Sequence, residues 1–286
     1  MFKHMLTKLP FLLASIAGLA CSGGAIAQTA NQGLIQTAPA MVPTVPVLSE
    51  ADMQRSLELS TGFQNLSAGL GNWSDVTVRG TYGLPSHVLQ GEISLNRRFN
   101  TDGVFVGLSD TYNINDDWYA NLALGFGNGA FYLPRYRVDA TIYRKWLPQR
   151  NLVTSIGLSQ YKAPDGHTDN GLALGLVYYF DAPWVAEIGY RANSSDPGAI
   201  KTQQQFVALT YGSVKENLIT VRHAWGNEGY QTIATNAQLV NFASKETSIS
   251  WRHWFAPRTG LLLGANRYSS PFYVRSGMNI GIFHDF

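Results

Sequence analysis

From about residue 53 to the final Phe286, apolar and polar side chains alternate with a period of two, in short runs broken by Gly, Pro, Asn and Asp. Over residues 87–100, Leu89, Gly91, Ile93 and Leu95 fall on one face and Gln90, Glu92, Ser94, Asn96 and Arg98 on the other. A helix would bring Glu92 and Leu95 to similar faces, so the period specifies strands. Residues 118–127 repeat the pattern, with Ala120, Leu122, Leu124 and Phe126 opposed to Tyr119, Asn121, Ala123 and Gly125. Residues 171–180 repeat it again, with Leu172, Leu174, Leu176, Tyr178 and Phe180 opposed to Ala173, Gly175, Val177 and Tyr179. A soluble sandwich turns its apolar face to a core. A membrane barrel turns it outward and fills the interior with small and polar groups. Charged and small residues opposite long aliphatics favour the barrel.

Fourteen such segments can be counted, near 55–63, 74–83, 87–99, 103–113, 117–127, 135–147, 151–161, 171–180, 184–192, 202–212, 217–226, 246–255, 259–268 and 274–286. The predicted fold is all-β, a closed antiparallel transmembrane β-barrel of about 14 strands, with 12 or 16 as alternatives. Tight links such as 83–86, 147–150 and 181–183 alternate with longer ones such as 162–170, 193–201 and 227–245, as expected of short periplasmic turns and longer outer loops. Tyr82, Tyr112, Trp118, Trp146, Tyr178, Phe180, Trp184, Tyr211, Trp254 and Phe255 gather near the tight links, and read as an aromatic girdle at the periplasmic interface.

The front of the chain carries Lys3 and Lys8, an apolar run over residues 11–20 and the small-residue site Ala25-Ile26-Ala27. This reads as a Sec signal peptide, residues 1–27, cleaved near Ala27; the run is too short to span a bilayer. Processing as a lipoprotein at Cys21 is the rival, disfavoured by Gly18 three residues earlier. Residues 28–50, rich in Ala, Thr, Pro and Gln, read as a flexible periplasmic leader to a barrel over 51–286. Removing Lys3 and Lys8 from the 21 bases leaves 19, equal to the number of acids. A neutral chain gives no argument for nucleic acid. The one cysteine lies in the signal, so no disulfide is expected after cleavage.

Alternation assigns Glu58, Asp75, Glu92, Asp139 and Glu187 to the lumen, with Arg79, Arg98, Arg135, Arg137, Lys145, Arg191, Arg222 and Arg252. Glu92, Arg98, Arg135, Arg137, Asp139, Glu187, Arg191 and Arg222 are the candidates for contact with a transported solute. A mildly basic lumen focuses field on anionic or polar cargo. Equally, such charges can pair across strands and stiffen the wall. No G-x-S-x-G, H-E-x-x-H, P-loop or dinucleotide motif occurs. Ser250 and His253 differ by an odd number and face opposite sides of one strand. Asp165 and Asp169 around Gly166 and His167 are too few for a calcium loop and read as a solvated loop. No catalytic residue, metal set or cofactor is expected.

At residues 90–102, QGEISLNRRFNTD, the chain resembles the YaiO family of outer-membrane β-barrels, which has a similar acid, spacer, Arg-Arg-Phe run; Glu92, Arg97 and Arg98 are the matching positions. The resemblance continues through DDWYANLALGFG (116–127), FYLPRYRVDATIYRKW (131–146) and WRHWFAPRTGLLLGANRY (251–268) to Phe286. It implies an outer-membrane barrel whose relatives are attached to periplasmic tetratricopeptide repeats in exopolysaccharide systems. Residues 28–50 are too short for one such repeat, so an exporter would need a separate periplasmic partner. The expected partners are outer-membrane lipid, lipopolysaccharide and the barrel assembly machinery. The expected function is a narrow or gated channel for exopolysaccharide or other polar solutes. The alternatives are a scaffold barrel with a plugged lumen and an outer-membrane lipid- or glycan-modifying enzyme.

Overall fold

The computed structural model describes residues 54–181 and 183–286. The signal and leader segments lie outside the described residues. Among those described, fourteen strands follow one another: β1 (Arg55–Leu66), β2 (Trp73–Gly83), β3 (His87–Arg98), β4 (Thr101–Asn113), β5 (Trp118–Gly127), β6 (Tyr136–Trp146), β7 (Leu152–Lys162), β8 (Thr168–Tyr179), β9 (Trp184–Asp196), β10 (Ile200–Ser213), β11 (Asn217–Ala234), β12 (Ala237–Ala256), β13 (Thr259–Ser269) and β14 (Val274–Asp285). Each pairs antiparallel with its sequence neighbours, and β1 pairs with β14 from Ser56↔Asp285 to Leu66↔Arg275. The Phe286 N–H extends this seam by donating to the Arg55 carbonyl at 2.9 Å. A sheet closed in this way has no edge, so its ladder bonds are satisfied even in hydrocarbon.

Closure makes the period-two pattern an inside–outside rule. Ile93 is 54% exposed while its neighbour Ser94 is 4% exposed and within 2.8 Å of the Thr77 hydroxyl. Leu57, Leu59, Leu122, Phe126, Leu172, Leu174, Ile280 and Ile282 are exposed on the outer face; Tyr119, Ala123, Val177 and Tyr179 are buried inside. One end of the barrel carries residues 55 and 285 and six short turns. The opposite end, the hairpin end, is taller, because β11 and β12 run to 18 and 20 residues.

That height corrects the expectation of a long loop over 227–245. The segment is the continued hairpin of β11 and β12, turning at Thr235–Asn236. Its Tyr230, Thr232, Ile233, Val240 and Phe242 favour strand, and the pairing extends from Asn227↔Ala243 to Ala234↔Ala237. The links at 162–170 and 193–201 shrink in the same way as β7 to β10 lengthen. One girdle residue is also misassigned. Trp254 shares the parity of inward Arg252, is 8% exposed and packs inside with Leu218, Leu262 and Phe283. The other large aromatics of that set, such as Tyr82, Tyr112, Trp184, Tyr211 and Phe255, are exposed at the short-turn end.

The inside–outside rule has a depth-dependent consequence. Ile280, in mid β14 and exposed, should cost about 2–4 kcal/mol of barrel stability as Ile280→Arg, whereas Ser276→Arg near the hairpin end should cost roughly 0–1 kcal/mol. Unfolding in liposomes with urea, read by the heat-modifiable gel shift, measures both; equal losses would contradict the register of β14.

Candidate functional site: the barrel interior and its mouth

Seven of the eight candidates lie on the inner face. Arg79 Nε donates to Glu92 at 3.0 Å and Arg79 Nη1 lies 3.8 Å from Glu58. Arg252 donates to Glu58 from two strands beyond the seam and lies 3.9 Å from Asp285. Arg137 grips Asp139 through two bonds, of 2.6 and 2.7 Å, from a side chain that is almost fully buried. Arg191 donates to Ser159 at 2.6 Å, and Arg222 lies 4.3 Å from the centre of the Phe206 ring. Glu187 lines the same stretch of wall as Asp139 and Arg191. Arg135 departs from the expectation. It stands just before β6, exposed, and donates to the Pro164 carbonyl at 3.0 Å. Alternation fails there because the residue precedes the ladder and has no strand parity.

The inner wall is also heavily aromatic. At the short-turn end, Tyr119, Tyr143, Val153, Val177 and Tyr179 form one cluster, with the Tyr119 and Tyr143 rings stacked at 4.4 Å; Leu218, Trp254, Leu262 and Phe283 form another. Small residues make room for these rings. At Gly125 an added Cβ would sit 2.7 Å from Phe105 Cζ. Beside the first cluster lies a cavity of about 40 Å³, lined by Asp139, Thr141, Ser155, Ser159, Glu187 and Arg191 among others. At about 10–15 Å³ of such space per water this holds roughly three waters.

Two sets of contacts gather at the hairpin end. The first is an alternating run of cations and rings. The Arg98 guanidinium lies 5.4 Å from the Tyr132 ring and 4.9 Å from Trp73; Arg275 lies 4.8 Å from both Trp73 and Tyr268. Desolvated contacts of this kind are each worth about 2 kcal/mol. Tyr132 belongs to the β5–β6 loop, which folds back onto the inner wall. Its hydroxyl lies 3.0 Å from the carbonyls of both Asn96 and Thr101 and donates to one at a time. The loop fits because position 103 is glycine: a Cβ there would stand 2.6 Å from Tyr132 Oη and 2.8 Å from Leu133 Cδ1. Burial pushes the Tyr132 hydroxyl up to about 12, against the pull of Arg98, so it remains a donor. The charges of the stack are answered by Glu246, 2.7 Å from Arg275, and by Glu228, which accepts from Tyr268 at 2.8 Å.

The second set is a latch across the mouth. Asp165, in the β7–β8 turn, accepts from Gln238 Nε2 and lies 3.4 Å from the Thr232 hydroxyl, both on the β11–β12 hairpin. Its other oxygen lies 2.6 Å from His167 Nδ1. The His167 ring is buried, stacked 5.1 Å from Tyr230, whose hydroxyl donates to the Pro197 carbonyl at 2.5 Å. The expectation of a solvated loop therefore holds for Asp165 and Gly166, which are exposed, and not for His167 and Asp169, which are buried. Alternation through Met278, Ile280 and Ile282 marks Arg275 as inward, a signal the sequence reading left unused. Nothing local marks Tyr132 or Gln238, which reach their partners through loop and hairpin geometry.

Fold and interior together define a closed fourteen-strand membrane β-barrel whose inner wall is lined with charges and rings. The chain belongs to the YaiO membrane β-barrel domain family, whose match covers residues 54–231. The match stops within β11, although β12 to β14 are needed to close the barrel. No curated protein sequence matches the chain. Among solved structures, the CymD monoaromatic hydrocarbon channel is similar with a TM-score of 0.55 and 8% identity, over 82% of this chain and 88% of that one. A bacterial polysaccharide outer membrane secretin is similar at 0.50 and 11% identity, over 81% and 98%. A loop-deletion mutant of OmpT, an outer membrane protein of Vibrio cholerae, aligns at 0.48 and 11% identity, over 81% and 98%. At these identities the likeness is one of fold.

Arg275 is fully buried in the stack and is the partner of Glu246. Arg275→Leu should therefore cost about 3–5 kcal/mol, much of it from the carboxylate left behind, and adding Glu246→Gln should recover part of the loss. Urea midpoints of the refolded proteins give the cycle; a wild-type midpoint for Arg275→Leu alone would show that the stack does not hold the mouth.

Proposed function

We propose that this barrel is a narrow, gated outer-membrane channel for small polar solutes, with the short-turn end in the periplasm and the hairpin end outside. The observation that carries the reading is the latch. Asp165, Gln238 and Thr232 close the mouth through a few polar contacts that water can replace, rather than through a packed apolar plug. In the inner wall Arg137, Asp139, Arg191 and Glu187 line a small polar cavity, with Arg137 paired to Asp139. The short turns, the exposed aromatic girdle and the protruding hairpin support the orientation. In this reading the chain is exported by a leader cleaved after Ala27, and the barrel assembly machinery recognises β14 with Phe286. Exopolysaccharide export, which the family resemblance implies, would require the Tyr119–Tyr143–Tyr179 cluster and the cation–ring stack to move as well as the latch. Small polar cargo asks for less rearrangement.

A scaffold barrel is the second reading, favoured by the four aromatic-rich clusters that occupy the inner wall at both ends. Planar-bilayer recording separates the two. Wild-type protein should conduct weakly or in brief openings, and Asp165→Ala with Gln238→Ala should raise the open time several-fold. At low salt, where screening is weakest, the open state should prefer anions, since Arg98, Arg137, Arg191, Arg222 and Arg275 all face inward. Silence from both proteins, each inserted as judged by the gel shift, would leave the scaffold.

A further inference from the structure

The outer face of the hairpin end carries several bases, and some are answered within the protein. Arg97 is paired with Asp102 at 2.8 Å, and Lys162 donates to the Gly166 carbonyl and, at 2.9 Å, to the Thr168 hydroxyl. Lys201, Lys245 and Arg267 are not answered in this way, and of these Lys245 and Arg267 are neighbours. Both are exposed on the outer face, on the adjacent strands β12 and β13, and neither makes an ion pair among the described residues.

Register brings these two bases together. Lys245 lies opposite Ser269 and Thr247 opposite Arg267, so the two bases are diagonal neighbours, roughly 7–8 Å apart at the backbone. Trp225 of β11 lies opposite Lys245 on the other side and is exposed. His223, next on that face, bonds the Thr247 hydroxyl at 2.8 Å and stacks on Trp225 at 5.6 Å. The inward residues between them, Glu246 and Tyr268, are engaged with Arg275 and Glu228 inside the barrel, so no carboxylate competes on the outer face.

Depth decides what such a pair meets. Lys245 and the girdle residue Phe255 share one face of β12, ten positions apart. At about 3.3 Å per residue and a tilt near 40°, that is roughly 25 Å along the barrel axis, the height of the apolar band of an outer-membrane barrel. A base left in hydrocarbon would be costly; a base at this height reaches the outer headgroup layer. Two bases within reach of one point, one a guanidinium with a fork of donors, fit the oxygens of a phosphate monoester, and Trp225 supplies the interfacial ring beside it.

We infer that Lys245 and Arg267, flanked by Trp225 and Thr247, form a binding site on the lipid-facing wall for a headgroup phosphate of the outer-leaflet glycolipid, lipid A. The inference rests on the orientation given under the proposed function and is independent of whether the barrel conducts. It assigns a fixed lipid position beside the β11–β12 hairpin, whose tip carries the latch.

The test uses the full mature chain in phosphatidylcholine nanodiscs, with diphosphoryl lipid A, enzymatically dephosphorylated lipid A or phosphatidylglycerol added, and bound lipid counted by native mass spectrometry. Diphosphoryl lipid A should be retained by the wild type and by the charge-conserving K245R/R267K. K245Q/R267Q should bind it about tenfold more weakly, as expected for loss of charge-assisted contacts at an interface. K201Q removes a base from the same face, four residues along β10 from the row through Trp225 and Lys245, and should bind as the wild type does. Undiminished binding by K245Q/R267Q overturns the site. So does equal retention of dephosphorylated lipid A, or of phosphatidylglycerol, which would reveal a general anionic band. The gel shift confirms that each variant is folded. Labelling of an Asn236→Cys variant on intact cells reports the orientation separately, so a failed topology and a failed lipid site are told apart.

Discussion

The seam between β1 and β14 is the constraint on which the molecule depends. Until Ser56 to Leu66 pair with Arg275 to Asp285, the sheet has two free edges, and neither can exist in hydrocarbon. Once they pair, every residue is committed by parity to lipid or to the interior. The outer face then needs only aliphatics and an aromatic girdle. The inner face must settle its own charges in a space shielded from bulk water, and it does so with short-range pairs such as Arg137–Asp139 and Arg79–Glu92.

The interior is therefore organised as a wall that leans on itself. Charges lie between rings, rings lie over glycines, and little free volume remains. This is the opposite of a wide water-filled pore, although the strand number would permit one. The groups gathered at the hairpin end are held by bonds of different character. The cation–ring stack is buried and desolvated. The Asp165–Gln238 contact lies at the exposed surface. A hierarchy of this kind lets one part yield while the other keeps its shape.

Much of this was legible in the sequence because a period of two is a direct image of parity. The fourteen segments, the faces of Ile93 and Ser94, and the inward course of Arg98, Arg137 and Arg191 all follow from counting along a strand. Counting fails where the ladder stops or the chain turns back. Arg135 precedes its strand and has no parity. Trp254 was judged by its place near a turn, although its distance of two from Arg252 put it inside. The segment 227–245 has the polar residues of a loop and the β-branched and aromatic residues of a strand, and tertiary pairing decided for strand. Tyr132 is set by a glycine in another strand, a relation that no local pattern contains.

The cation–ring stack has a bearing on how the barrel comes together. Its members are drawn from β2, β3, β13, β14 and the β5–β6 loop, so it straddles the seam. Trp73 and Arg98 are made early in synthesis and Arg275 almost last. In a chain still lacking its final strand, Trp73 offers its ring to one guanidinium only, and Glu246 waits without its cation. Strand closure and completion of the stack thus fall in one event, while the Asp165–Gln238 contact, which has no member at the seam, is left to form separately.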